Sequence, residues 1–269
     1  MRVVRETNLS VEVELGELSV IMLSDGETAM PLTHLRGVDG EPLPDEALGG
    51  ADVVDGKLRL PVRAFMVRGP GGCLMIDAGA GDAWHAPLGR LEAAMMAAGV
   101  SARAVTAVAL THTHVDHLGG LVDRDGECAF PNARQIFVAT EELAEFRAEP
   151  RMLRAWPRLM PLEQGDGPIR GVTAINAPGH SPGHMAFLVE GRMLIWGDLV
   201  HHAAVQFPRP EVTWAFDDNQ AQARMSRLAL MAQAVEAGWI VAGAHLPSPG
   251  IGRIERVGEG YAFRPVTAG

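Results

Sequence analysis

Apolar residues along the chain fall into short runs and alternating segments, a pattern typical of β-strands rather than of long helices. Several of these segments are rich in Val and Ile and end near Gly, Pro or Asp. The pattern predicts strands at Val11–Leu15, Ser19–Leu23, Val62–Val67, Cys73–Ile76, Val105–Leu110, Gln135–Val138, Val172–Ile175, Met185–Val189, Met193–Trp196 and Trp239–Val241.

Two segments have the apolar spacing of a helix. Pro87–Ala98 carries a proline suited to a first turn and is followed by Gly99. The longest helix is predicted at Asn219–Ala237, with Asp217 and Asp218 before it as candidate caps. Strands and helices together indicate an α/β or layered sandwich, which we interpret as one domain over residues 1–269.

Two further segments show little periodicity and are predicted to be loops. Residues 24–56 contain three prolines among several Gly and Asp residues, so we interpret them as a long N-terminal loop. Such a loop could be an active-site lid, a dimer-contact arm or solvated surface, and we expect a homodimer. Pro157 and Pro161 indicate an irregular loop at Leu153–Leu162, which makes Trp156 the best candidate among the aromatic residues for lining a substrate pocket.

Composition narrows the class of protein. Of the 269 residues, 47% are hydrophobic, and no run is long enough to span a membrane or to act as a secretory signal, so we expect a soluble, cytoplasmic protein. The net charge of -10 and the absence of a basic cluster argue against nucleic acid as a partner. Cys73 and Cys128 lie far apart and are interpreted as free thiols.

The stretch THTHVDHLGG directly follows the predicted strand Val105–Leu110 and places His112, His114, Asp116 and His117 within six residues. On an extended strand end, side chains two positions apart point the same way, so His112 and His114 share one direction. The following turn brings Asp116 and His117 to the same place. Imidazole and carboxylate groups together suit Zn, Mn or Fe ions, so this stretch is predicted to bind metal.

Three downstream segments end an apolar run with one further candidate ligand each. These are His180 in APGHSPGH, Asp198 in IWGDLV and His245 in VAGAHLP. Together with the first cluster they provide five His and two Asp ligands. Seven ligands fit two metal ions that share one carboxylate, and Asp198 is the natural bridge because it stands alone at a strand end.

The order HxHxDH at residues 112–117, then His180, Asp198 and His245, resembles the metallo-β-lactamase-fold hydrolases, and the strands at 62–67 and 73–76 followed by IDAGAGD match that fold too. The resemblance implies an αββα sandwich of two mixed β-sheets flanked by helices, with a metal cleft along one edge. It further implies two divalent ions, zinc foremost, with Mn, Fe or Co as alternatives. One ion would be bound by His112, His114 and His180 and the other by Asp116, His117 and His245, with Asp198 between them.

The run WGDLVHHAAVQFPRPEVTWAFD and the later GAHLPSPGIGRIERVGEGYAF are similar to the methyl parathion hydrolase and quorum-quenching lactonase group. This resemblance implies that a metal-bridging hydroxide cleaves an ester-type bond in a small molecule: a lactone, an aryl ester or an organophosphate triester. We expect Asp116 to orient the hydroxide and take up its proton. His201 stands where the lactonases carry a tyrosine, so it is the second candidate catalytic residue, while His184 is expected to support the metal site from outside the ligand set.

Other functions share parts of this pattern. A glyoxalase II-like thioesterase has the same ligand set, but the helical C-terminal domain with basic residues is missing. A di-iron redox protein is expected to have Glu in place of His114, and an RNA phosphodiesterase needs a basic clamp. A non-hydrolytic metal-binding protein is the remaining alternative.

Overall fold

The computed structural model describes residues 1–84, 87–156 and 158–267, leaving out the side chain of residue 45. The strands are β1 (Arg2–Glu6), β2 (Ser10–Leu15), β3 (Leu18–Pro31), β4 (Leu35–Arg36), β5 (Val53–Val54), β6 (Lys57–Gly69), β7 (Gly72–Ile76), β8 (Ala107–Ala109), β9 (Ile136–Ala139), β10 (Leu159–Leu162), β11 (Val172–Asn176), β12 (Met185–Val189), β13 (Met193–Ile195), β14 (Thr213–Trp214), β15 (Ile240–Ala242), β16 (Ile251–Val257) and β17 (Gly260–Pro265). The helices are α1 (Leu91–Ala98), α2 (Val115–Leu118), α3 (Leu143–Ala148), α4 (Pro150–Ala155), α5 (Ala203–Gln206) and α6 (Gln220–Glu236). None of the helices in these ranges is long and apolar enough to cross a membrane.

The strands form two large mixed sheets and one short ribbon. The first sheet has the order β1-β2-β3-β6-β7-β8-β9-β10 with β5 beside β6, and the second has the order β11-β12-β13-β15-β16-β17. Strands β7 to β10 run parallel to one another, as do β13 and β15. The ribbon pairs β4 with β14, joining the N-terminal part of the chain to its C-terminal half.

Alternating residues on each strand serve two different cores. In β6, Phe65 and Val67 pack between the two sheets, whereas Ala64 and Met66 pack on the outer face of the first sheet, against α1. In the second sheet, Phe187 faces the core between the sheets. Helix α6 covers the outer face of this sheet with its buried apolar side chains. The layers are therefore helix, sheet, sheet and helix, which confirms the αββα sandwich.

The loop predicted over residues 24–56 is wrong for residues 24–31, which belong to strand β3. Strand β3 continues to Pro31 and pairs with β6 along that length, with a register shift between Ser24 and Gly26. The bulge lets the Asp25 carboxylate turn inward, where it accepts hydrogen bonds from the N–H groups of Ala80, Gly89 and Leu91. Only the remainder, up to residue 56, consists of short turns with β4 and β5.

Helix α1 begins later than predicted. It starts at Leu91 instead of Pro87, because Gly89 adopts a φ of 80° that interrupts the helical path. Its end at Gly99, with a φ of 70°, agrees with the prediction. Helix α6 is capped by Asn219, whose side chain accepts from the N–H of Gln222, and not by the aspartates before it.

The irregular loop predicted at Leu153–Leu162 is wrong, since α4 continues to Ala155 and β10 begins at Leu159. Trp156 does not line the cavity described below. Its side chain is buried on the outer face of the first sheet, and its Nε1–H donates to the Leu121 carbonyl at 3.1 Å. Pro157 lies outside the described residues. Cys73 and Cys128 are free thiols, as predicted.

Candidate metal centre

The candidate ligands lie at one edge of the sandwich, where parallel strands of both sheets end. His112 follows β8, Asp198 follows β13 and His245 follows β15. The short helix α2 carries Asp116 and His117. The carboxyl ends of parallel strands meet at the same edge, so ligands from distant parts of the sequence are brought together.

Two glycines allow α2 to sit this close to the first sheet. A Cβ atom on Gly119 would lie 2.1 Å from the Ala80 carbonyl oxygen, and one on Gly120 would lie 2.0 Å from the Ala78 carbonyl oxygen. Only residues without a side chain fit at these two positions. Gly119 and Gly120 therefore allow α2 to approach the first sheet closely, and this approach brings Asp116 and His117 to the edge where the other candidate ligands lie.

The structure brings the seven predicted ligands into two groups that share Asp198. Within each group the potential ligand atoms all lie within 4.8 Å of one another. One group is His112, His114, His180 and Asp198; the other is Asp116, His117, His245 and Asp198. Asp198 Oδ2 lies 3.3 Å from His180 Nε2 and 3.0 Å from His245 Nε2, and its Oδ1 lies 3.1 Å from His117 Nε2.

Several of these atoms are buried and face one another without the hydrogen bonds that buried polar groups normally make. His112 Nε2, His117 Nε2 and Asp198 Oδ1 have no hydrogen-bond partner among the described residues. His180 Nε2 and His114 Nδ1 point at each other at 3.0 Å. Such a set of buried nitrogen and carboxylate donors fits divalent metal ions, and the zinc, manganese, iron and cobalt ions all accept these donor types.

The electrostatic environment also favours cations. Burial lowers the pKa of His180, but hydrogen bonds and charge from Asp198 and Asp217 outweigh it and raise the pKa to about 9. The His180 ring therefore sits in a strongly negative environment, which favours a positive charge at this place.

Three of the candidate ligand rings are oriented by a hydrogen bond from their other nitrogen. His117 Nδ1–H donates to Asp77 Oδ2 at 2.8 Å, and His180 Nδ1–H donates to Asp217 Oδ1 at 2.8 Å. His245 Nδ1–H donates to the Pro61 carbonyl at 2.6 Å. These bonds fix the tautomer of each ring, so that Nε2 faces the other ligands.

Asp77 and Asp217 were missed in the sequence as partners of the site. Asp77 also accepts the N–H of Thr111 at 2.8 Å, and it has a φ of 60°, which non-glycine residues rarely adopt. Its signal is its position at the end of a buried strand in the segment IDAGAGD. Asp217 gives no such signal, because it looks like any aspartate before a helix.

His184 supports the site from outside the ligand groups, as predicted. Its Nδ1–H faces the Ala177 carbonyl at 3.1 Å, and its Nε2 accepts the backbone N–H of Asp198 at 3.0 Å. Burial lowers the pKa of His184 to about 3, so the ring is neutral and Nε2 is free to accept. The ring holds the backbone that carries the shared carboxylate.

A cavity of about 380 Å³ opens onto these groups. Its polar wall includes Asp116, Asp198 and His201, and the His201 Nε2 lies 3.3 Å from Asp198 Oδ2. Its apolar wall is formed by Met30, Leu60, Trp84, Val115, Trp214 and Phe216. His202 points away, with its Nε2 accepting the N–H of Asp52 at 3.2 Å. The aromatic residues that reach the cavity are thus Trp84, Trp214 and Phe216, whereas Phe137 and Phe207 pack in the cores.

Comparison with known proteins places the chain in a family. Residues 58–245 match the model of the metallo-β-lactamase superfamily, and the chain belongs to this superfamily. The search of curated proteins gave no match.

Solved structures resemble the whole chain. AidC, a dizinc quorum-quenching lactonase solved with a product, is 25% identical, with a TM-score of 0.82 over 96% of this chain and 98% of that one. The hydrolase AbOPH of the β-lactamase superfamily is 27% identical, with a TM-score of 0.85 over 98% and 99%. AiiA of B. thuringiensis, solved with N-decanoyl-L-homoserine at its active site, is 18% identical, with a TM-score of 0.62 over 91% and 94%, and shows a shared fold alone.

Proposed function

We propose that this protein is a dinuclear metal-dependent hydrolase that cleaves an ester-type bond in a small neutral molecule, namely a lactone, an aryl ester or an organophosphate triester. The observation that carries the proposal is the meeting of two buried donor groups at Asp198 on the wall of a cavity. The similarity to the lactonase AidC and to AbOPH supports the same class of reaction.

In this proposal His112, His114 and His180 hold one ion, and Asp116, His117 and His245 hold the other. Asp198 would be the carboxylate shared between them, because it lies within 3.3 Å of His180 from the first group and within 3.1 Å of His117 and His245 from the second. Zinc is the first candidate, in line with the dizinc relative. When bound, two divalent ions would supply Lewis acidity, which lowers the pKa of a bound water to about 7 and polarises the carbonyl or phosphoryl oxygen of the substrate.

The protein's own side chains then provide positioning and proton transfer. Asp116 lies on the cavity wall, with Oδ2 at 3.6 Å from His245 Nε2, so its carboxylate can orient the attacking water and accept its proton. Burial lowers the pKa of His201 to about 3, which keeps this ring neutral. A neutral imidazole can donate its single N–H to the carbonyl or phosphoryl oxygen of the substrate.

The cavity favours a substrate with an uncharged apolar group. Among the described residues, its lining contains no lysine or arginine, and carboxylates such as Asp217 and Asp218 lie on the same wall as Phe216. An anionic conjugate of the kind that a glyoxalase II-like thioesterase hydrolyses needs cationic side chains to bind. An alkyl or aryl group, in contrast, can pack on the apolar wall.

The test is a panel of lactones, aryl esters, thioesters and organophosphate triesters, assayed with zinc-loaded, manganese-loaded and cobalt-loaded protein. We expect the neutral esters to be hydrolysed faster than anionic thioesters. Alanine substitution of Asp198 should abolish hydrolysis and reduce bound metal, with Asp125→Ala as a control at an exposed aspartate outside the ligand groups. A variant at Asp198 that keeps both metal content and rate would refute the proposal.

A further inference from the structure

The ring of His201 is not anchored by hydrogen bonds. Its backbone is fixed, because the N–H groups of His201 and His202 both donate to the Gln206 Oε1, at 2.7 and 2.9 Å. Both ring nitrogens of His201 are buried, and neither has a hydrogen-bond partner among the described residues. Another kind of contact must therefore hold the imidazole in its orientation.

That contact is stacking with two other rings. The His201 ring lies parallel to the Trp214 ring, with centroids 4.7 Å apart and planes 9° apart. The His245 ring also stacks with the His201 ring, with centroids 5.2 Å apart and planes 19° apart. The Nε2 of His201 lies beside Asp198 Oδ2. Since His245 is itself oriented by the Pro61 carbonyl, Trp214 is the second ring that stacks with His201 from a fixed position.

Trp214 is in turn held by the N-terminal part of the chain. It pairs with Leu35 in the β4–β14 ribbon, and the N–H of Ala215 donates to the His34 carbonyl at 2.7 Å. The His34 ring packs edge-on against the Trp214 ring, with centroids 5.2 Å apart and planes 88° apart. The backbone N–H of Trp214 donates to Asp217 Oδ2 at 2.9 Å. The backbone of Trp214 is thus fixed by the ribbon and by the carboxylate that orients His180, and its indole ring is held by the edge contact with His34.

We propose that Trp214 is a positioning residue for His201, and that the β4–β14 ribbon with His34 determines where the imidazole edge points. The proposal rests on the function proposed above, because it assumes that His201 contacts the substrate. The simpler role for Trp214 is that of a cavity wall, which would change the binding of bulky substrates without any link to His201.

A double-mutant cycle separates these two roles. We expect Trp214→Leu to lower kcat by about 10-fold to 100-fold, as for a displaced catalytic group, with a smaller change in KM. Trp214→Phe, which keeps an aromatic face, should restore most of the rate. In a His201→Ala background, Trp214→Leu should cause no further loss of kcat. Phe216→Leu is the matched control, since this aromatic residue lines the same cavity and should alter KM without coupling to His201.

A loss of kcat from Trp214→Leu that persists in full without the His201 ring would overturn the proposal in favour of a cavity wall. If circular dichroism shows that Trp214→Leu does not fold, His34→Ala carries the same cycle. His34 itself does not line the cavity, and this variant removes its edge contact with Trp214. It also removes the contact between His34 and Phe216 at 4.8 Å, for which Phe216→Leu is the control. Its loss of kcat should be smaller and should likewise disappear in the His201→Ala background.

Chemical modification tests the positioning without a substrate. The His201 side chain is 2% exposed, so in the metal-loaded wild-type protein it should be protected from diethyl pyrocarbonate, as followed by peptide mass spectrometry. Trp214→Leu should abolish that protection, whereas Phe216→Leu should preserve it. Equal protection in all three proteins would contradict the positioning role. If the wild-type protein hydrolyses no member of the substrate panel, the proposed function fails, and the modification result alone decides whether Trp214 fixes His201.

Discussion

Replacement of Asp217 by asparagine tests how strongly the surroundings of His180 contribute to metal binding. Both carboxylate oxygens accept a buried hydrogen bond, Oδ1 from His180 Nδ1–H and Oδ2 from the backbone N–H of Trp214. Asparagine has a single acceptor oxygen, so one of the two donors would face an NH2 group. Arg227, 3.8 Å from Oδ2, would also lose its carboxylate.

The expected loss follows from this geometry. An unsatisfied buried donor costs about 1–3 kcal/mol. Loss of an outer partner of a metal-binding histidine typically weakens metal affinity by about 10-fold to 100-fold, which corresponds to about 1.4–2.8 kcal/mol. We therefore predict that Asp217→Asn binds zinc about 10-fold to 100-fold more weakly than the wild-type protein, because His180 is no longer held in the tautomer that faces the ion.

The assay is competition for zinc with a chromophoric chelator, read at equilibrium. Asp218→Asn is the matched control, since it removes the same charge from the next position, where the side chain is exposed. Its zinc affinity should stay close to that of the wild-type protein. Wild-type affinity in Asp217→Asn, or an equal loss in both variants, would refute the reasoning, since charge alone would then explain the effect.

Three further predictions concern stability. Phe187→Ala should lower the free energy of unfolding by about 3–5 kcal/mol in urea titrations, because the ring is fully buried between the sheets; a loss below about 1 kcal/mol would argue against this core. Gly179→Ala should lower Tm and weaken zinc binding, because its Cβ atom would lie 2.0 Å from the Ala223 backbone nitrogen at a φ of 126°; an unchanged Tm would contradict the close approach. Arg2→Ala removes an exposed ion pair with Glu14 and should change the unfolding free energy by less than about 1 kcal/mol; a larger loss would mean that the pair is more shielded than its exposure indicates.

Much of the candidate site could be predicted from the sequence because its candidate ligands have a strong local signature. His112, Asp198 and His245 each follow an apolar strand, and strand ends at one edge converge in this fold class. The partners of the ligands carry a weaker signature. Asp217 is an aspartate shortly before a helix, where helix caps are also found. Only its hydrogen bond with His180 in the folded protein shows its role.

The fold was predictable where periodicity was clear and less so where pairing is non-local. The composition of residues 24–31 suggests a loop, yet Pro31 pairs with Lys57 because the long strand β6 offers a partner across 26 residues of sequence. The prolines near Trp156 led to the wrong prediction that this residue lies in a loop and lines a pocket. In the folded protein its Nε1–H donates to the Leu121 carbonyl, and its side chain is buried. The hairpin of β16 and β17 was not predicted, because three charged residues interrupt IGRIERV and GYAFRP has no period-two alternation of apolar and polar residues.

The central claim is that two metal ions act together at Asp198. The most direct test adds zinc in known amounts to metal-free protein while hydrolysis of a lactone or aryl ester is followed. We predict that activity reaches its plateau at two ions per chain and stays low at one, because both donor groups must be filled. Full activity at one ion per chain, or hydrolysis by the metal-free protein, would contradict the account.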